Sequence, residues 1–302
     1  MDRTVTAFDI FEFINSVSDC TGSEHDLDFG IKAPVGYDEL APGCLSFLKK
    51  VYAGAANTNI PDALVICDKE TSAIVDGPHV IVPNPRLAFA QTVGEFFRLS
   101  SDIDDVHPSA HVHGDAVIGK DVKIGANAVI ASSAEIGDRT VIHHNVVIGP
   151  NVVIGEDCII RSNNVIGEEG FGVEELPGDK TFRIPHIGGV RIGNHVNMGN
   201  LNSISAGTLK PTVIGNYVQI DNLVNVAHNC EIGDATMLMP CVEIAGSTIV
   251  GKRVYVGCNA SLTNGIAIGN DCQVGIGAVV IRSVENNKVI AGNPARILRN
   301  RR

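Results

Sequence analysis

Tryptophan is absent from this 302-residue chain, and aromatic residues make up only 5% of it. With so few large rings, an interior has to be built from small aliphatic side chains in flat, repeated layers, which is how a narrow solenoid is filled. Long apolar runs are missing too: none reaches 18 residues, so no membrane-spanning segment is expected. Met1-Asp2-Arg3-Thr4 lacks the basic and apolar regions of a signal peptide. Positive charge is scarce, with 23 Lys and Arg against 34 Asp and Glu, and the net charge of −11 argues against general nucleic-acid binding. Any phosphate group must then be met by local basic residues. The eight cysteines form no C-x-x-C pair, and the reading is of a reduced, cytoplasmic protein.

What is present is a ladder. An aliphatic residue returns every sixth position from Val106 through Val112, Ile118, Ile124, Ile130, Ile136, Ile142, Ile148, Ile154 and Ile160 to Ile166. It restarts at Ile192, Met198 and Ile204, and again from Ile214 to Val280. Two positions before most rungs stands a small or β-branched residue, such as Ala128, Thr140 or Cys158. A helix repeats at 3.6 residues and a strand at 2, so a fixed six points to hexapeptide coils. The expected fold is mainly β: a left-handed parallel β-helix of hexapeptide repeats behind a small N-terminal α/β domain. Cys158, Cys230 and Cys272 fall on the small position, where they behave as buried hydrophobes.

Residues 1–101 show no hexads and are expected to form the α/β domain. Phe8 to Val17 has helical spacing, Ala63-Leu64-Val65-Ile66-Cys67 and His79-Val80-Ile81-Val82 suit buried strands, and Asn84-Pro85 begins a second helix. Residues 102–281 form the β-helix and 282–302 a tail. Two interruptions break the ladder: an insertion over 167–191, and a four-residue offset around Thr208-Leu209-Lys210-Pro211. A regular solenoid needs neither for stability, so they are candidates for function.

If three hexads close one coil, residues eighteen apart stack. Gly246 then lies over His228, in Ala227-His228-Asn229, leaving a gap above the imidazole and an accessible backbone N–H. A histidine beside an amide donor is the minimum machinery for acyl transfer, one taking a proton and the other steadying an oxyanion. His107, His111 and His113 stack on Gly125, Val129 and Ala131, so no metal is expected there, and His143 and His144 read as surface residues.

From Gly170-Phe171-Gly172 onward, through Ile184-Pro185-His186, Ile220-Asp221-Asn222, Ala227-His228-Asn229 and Ala245-Gly246-Ser247, the chain resembles the UDP-3-O-acylglucosamine N-acyltransferases of lipid A biosynthesis. Upstream, Pro42 to Leu48 and Asn84-Pro85 are similar to that family's uridine-binding domain. The resemblance implies a homotrimer with active sites between subunits, His228 as general base and the Gly246 amide at the oxyanion. It implies Phe47 stacking on uracil, with Tyr52, Asp221, Asn222 and Phe171 as further substrate contacts. The partners would be a UDP-linked amino sugar and an acyl thioester on acyl carrier protein or CoA, with no separate cofactor. Lys50 and Ala53 replace the family's Asn and Tyr, and Ile204-Ser205-Ala206-Gly207 replaces its charged Ile-Asp-Arg-Gly. The ending Ala-Gly-Asn-Pro-Ala-Arg is similar to CoA-dependent sugar acetyltransferases. A short-acyl transfer from CoA and a non-catalytic sugar-nucleotide binder therefore stand as alternatives.

Overall fold

The computed structural model describes residues 5–22, 26–49, 60–97, 103 and 105–301. The chain divides into two compact units, 1–101 and 102–302. Tyr52, with Lys50 and Ala53, lies outside the described residues.

In the first unit helix α1 (Ala7–Val17) starts on a capping box: Asp9 N donates to Thr6 Oγ1 at 3.0 Å, and Thr6 N donates back to the Asp9 carboxylate at 3.1 Å. Ile10 and Ile14 are its fully buried face. The expected strands are Leu64–Cys67 and His79–Ile81, which pair in parallel beside Cys44–Leu48 in a five-stranded sheet. Helix α2 (Pro85–Thr92) begins with the Asn84 side chain accepting from Leu87 N, and a π-helical turn, Val93–Phe97, continues it.

The second unit is a parallel β-helix whose strands, mostly two residues long, form three sheets of ten, nine and eight strands. The first face carries Lys123–Ile124, Gln219–Ile220 and Gln273–Val274; the second carries Asn225–Val226 and Glu243–Ile244; the third carries Glu135–Ile136 and Thr212–Ile214. Successive coils pair at eighteen residues, as Val129 does with Val147 and Val226 with Ile244. Every rung from Ile124 onward is buried. Each fully buried isoleucine contributes about 2–3 kcal/mol of apolar burial before chain ordering is counted. Cys158, Cys230 and Cys272 are fully buried on the small positions.

The path can turn every six residues because the residue three past most rungs takes left-handed backbone, with φ between 55° and 63° from Asp121 to Asp271. Asn and Asp tolerate that region best and occupy many of these corners, including Asn229.

Two register jumps mark the interruptions. Val152 pairs with Val190, thirty-eight residues on, and Val190 with Thr212, twenty-two on. The insertion therefore closes at Gly189 rather than at 191, because Val190 and Arg191 already sit in the third face. It holds an antiparallel hairpin, Val173–Leu176 with Lys180–Arg183. Residues of the tail form a second hairpin: Lys288–Gly292 joins the first face, and Ala295–Asn300 pairs beyond it as that sheet's last strand.

Candidate active site

At eight corners the backbone N–H two residues past the rung is capped by a side chain from the next coil. Lys120 N donates to Asp138 Oδ1 at 2.8 Å, Asn216 N to Asp234 Oδ1 at 3.0 Å, and Lys252 N to Asn270 Oδ1 at 2.8 Å. His144 is one such cap, accepting from Ala126 N at 3.0 Å, which gives it a structural task.

The column through His228 and Gly246 has no such cap. Glycine offers no side chain to cap His228 N, and the Asn264 side chain one coil further accepts from Thr263 Oγ1 instead. No bond to Gly246 N–H occurs among the described residues. The vacated space is filled by the imidazole: a Cβ on Gly246 would lie 2.7 Å from His228 Cε1 and 2.8 Å from Nε2. A half-buried base and an uncommitted amide thus share one corner.

The two interruptions meet at this corner. Ala206 N donates to Glu168 O at 2.9 Å, Ile187 N to Thr208 O at 2.9 Å, and Gly207 N to Gly189 O at 3.0 Å. Gly170 packs on the base so closely that a Cβ there would sit 2.9 Å from His228 Cβ and 3.1 Å from His186 Nε2. Arg183 donates to Gly170 O at 2.9 Å and lies over the Phe171 ring, 5.4 Å from its centroid. Phe171 itself is 76% exposed.

Asn229 is held from the four-residue offset. Thr208 N donates to its Oδ1 at 2.8 Å, which turns the amide NH2 toward His228 Nδ1 at 3.0 Å. Nδ1 then accepts, and the neutral ring carries its hydrogen on Nε2. Burial lowers the His228 pKa, and the charge of His186 lowers it further, so the ring is neutral at physiological pH.

Asp221 and Asn222 follow the first face, whereas His228 follows the second, so one chain sets them at different corners of its coil. Asn222 Oδ1 caps Asn200 N at 2.7 Å, and Asp221 Oδ1 accepts from Asn222 N at 2.8 Å. Both line a polar cavity of about 340 Å³ with Arg161, Asn197, Asn200 and Gln219. Phe47 is in the first unit, half-buried and packed on Phe89 with centroids 4.9 Å apart. Of the histidines read for a metal, His113 contacts the Asp115 carboxylate and His107 lies 3.0 Å from Ser109 Oγ. Among the described residues no group of three or more His, Cys, Asp or Glu is placed to hold a metal ion.

Hexad counting did not bring His186, Asn229, Thr208 and Gly170 to the site. Three of them lie in the interruptions, where six-residue periodicity carries no register, and Asn229 takes its role from Thr208. The available signal was the family resemblance, which runs through Gly170-Phe171-Gly172, Ile184-Pro185-His186 and Ala227-His228-Asn229.

Two models of bacterial transferase hexapeptide repeats match. The six-repeat model covers residues 133–168 and 211–246, and the succinyl-transferase hexapeptide model covers 247–282. The solved UDP-N-acetylglucosamine O-acyltransferase from Moraxella catarrhalis is 27% identical, with a TM-score of 0.59 over 64% of this chain and 73% of that one. A Campylobacter jejuni UDP-N-acetylglucosamine acyltransferase, 24% identical at TM-score 0.59 over 65% of this chain and 75% of that one, shares the fold. The UDP-3-O-acylglucosamine N-acyltransferase of Bordetella parapertussis is 39% identical over 40% of this chain, a stretch that spans 34% of the Bordetella protein. The protein of that name from Campylobacter curvus is 40% identical over 76% of each chain. Its counterpart in Delftia acidovorans is 38% identical over 90% of this chain and 81% of its own length. With that likeness running through both units, the chain belongs to the UDP-3-O-acylglucosamine N-acyltransferase family.

Proposed function

We propose that the protein transfers an acyl group, a 3-hydroxyacyl chain from acyl carrier protein as the favoured donor, to the amine of a UDP-linked 3-O-acylglucosamine in a lipid A-type pathway. The observation that carries this reading is the corner where the His228 ring lies against a glycine whose N–H has no partner among the described residues. The sugar nitrogen attacks the thioester carbonyl while His228 takes a proton from it, and the developing oxyanion meets the Gly246 N–H. Collapse forms the amide and expels the thiolate, which recovers the proton from the imidazolium. For Nε2 to accept a proton, the ring must carry its hydrogen on Nδ1. The Asn229 amide must then turn its oxygen to that nitrogen and release Thr208.

Phe47 in the first unit is assigned to the uracil, and Phe171, Asp221 and Asn222 to the sugar and its acyl chains. The active form is a homotrimer, in which the polar cavity at Asp221 of one subunit faces His228 of the next. A cytoplasmic location fits eight cysteines that are all free thiols.

The test is turnover with a UDP-3-O-acylglucosamine and either 3-hydroxyacyl carrier protein or acetyl-CoA. His228→Ala should lower kcat by about 10²-fold or more with the carrier-protein donor. Near-normal turnover by that variant would remove His228 from the mechanism, and transfer from acetyl-CoA alone would replace the donor.

A further inference from the structure

His186 sits at the root of the insertion and is 6% exposed. Its Nδ1 lies 2.7 Å from Ile184 O; a carbonyl only accepts, so the hydrogen of the neutral ring is on Nδ1. Nε2 is buried with no partner. Lack of access rules His186 out as the base. Its centroid lies 4.9 Å from that of His228, with the rings tilted by 57°. Gly170 and Gly172 cover it so tightly that a Cβ on either would come within 3.3 Å of the His186 ring.

A bare buried acceptor is costly, and an aliphatic side chain would have filled the same space without it. What the imidazole adds is the bond to Ile184 O that folds the insertion back, carried by a ring large enough to shield its neighbour. We propose that His186 is a positioning residue for the base: its buried ring, tied to the insertion's own backbone, holds the His228 imidazole in place and walls one side of it from water. The inference rests on the reading of His228 as the base, and it gives the insertion a task in the reaction.

Other ionisable groups near this corner do not substitute for it. Arg183 is engaged with Gly170 O, and Glu243 on the next coil accepts from Asn225 Nδ2. The Cys230 thiol is pushed up to about 11 by burial and stays neutral. Burial is the larger cause that lowers the His228 pKa, and His186 acts in the same direction. Opening the wall therefore moves the His228 titration upward, toward the ordinary histidine value of 6.5.

The experiment follows His228 by imidazole NMR in the labelled full-length protein, identifying its signal by its loss in His228→Ala, alongside the pH profile of kcat/KM. His186→Ala should raise the His228 midpoint, carry the acid limb with it, and lower kcat roughly 10- to 100-fold with little change in KM. His186→Gln, uncharged and able to donate to Ile184 O, should restore both midpoint and rate to within a few-fold. Gly170→Ala, whose methyl would lie 2.9 Å from His228 Cβ and 3.1 Å from the His186 ring, should displace the rings and lower kcat as His186→Ala does, and it decides the matter if that variant does not fold. An unchanged midpoint in His186→Ala or a wild-type kcat in Gly170→Ala overturns the proposal, as does a folded His186→Gln as impaired as His186→Ala. The NMR midpoint is read without turnover, so the proposal can fail or stand apart from the assignment of the base, which His228→Ala tests.

Discussion

Single residues decide the chemistry here through what they leave out. Gly246 leaves out a side chain, which opens space for the His228 ring beside an amide that side chains cap at several other corners. Gly246→Ala keeps the N–H but drives a methyl to 2.7 Å from the imidazole, so the ring must move. The expected result is a fall in kcat of about 10²-fold, the scale of an ångström of misplacement, with the thermal midpoint little changed. Wild-type kcat would mean that the ring has room the geometry denies. Asn229 gives the second prediction. In Asn229→Asp one carboxylate oxygen can accept from Thr208 N and the other from His228 Nδ1–H, which holds the tautomer with a free Nε2. The negative charge also favours the imidazolium, so the His228 pKa rises. The acid limb of kcat/KM should move to higher pH while the plateau is kept or exceeded; a limb displaced to lower pH would refute this account of the tautomer. The stacking of Gly246 on His228 was legible from counting eighteen residues. The Asn229 amide orientation was not, because it depends on Thr208, which sits where the count fails.

At the scale of elements, the solenoid has to survive two places where chain leaves the stack. The interior position that elsewhere mostly holds Ala, Val, Thr or Cys is Asn164 before the insertion and Asn202 after it, both buried. Asn164 Nδ2 donates to Arg161 O at 2.6 Å and to Gly199 O at 2.7 Å, while its Oδ1 accepts from Asn202 N at 2.8 Å. Asn202 Oδ1 in turn accepts from Val224 N at 2.7 Å. These amides stitch coils whose register jumps by 38 and then by 22 residues. Asn202→Ala leaves the Val224 N–H buried and unpartnered and should cost about 1–3 kcal/mol, read as a lower denaturant midpoint at unchanged slope. A change below about 0.5 kcal/mol would show that this ladder is dispensable. The rungs, the helix start at Asn84 and the strand Leu64–Cys67 were readable because each rests on local pattern. The insertion's end was misplaced by two residues because Val190-Arg191-Ile192 makes a three-residue strand, so pairing begins before the rung the periodicity counts.

For the whole molecule, the unresolved-by-sequence question of where the substrate sits becomes one of symmetry. Asp221 and Asn222 line a polar cavity at one corner of the coil, and His228 occupies another. A three-fold ring of such prisms uses a heterologous interface, in which a corner of one subunit meets a different corner of its neighbour. In the proposed homotrimer, each site combines His228 from one chain with the Asp221 cavity from the next. Complementation separates this from a site contained in one chain. His228→Ala and Asp221→Ala are each expected to be impaired as pure trimers. When the two are co-expressed in equal amounts and assemble at random, about a quarter of the interfaces pair an intact His228 with an intact cavity, and activity should return to about that fraction of wild type. The mixed sample should also show a mass near three times 31.9 kDa in solution. If the two corners serve one site within a single chain, no mixture can restore a whole site, and the co-expressed protein would be as inactive as its parents.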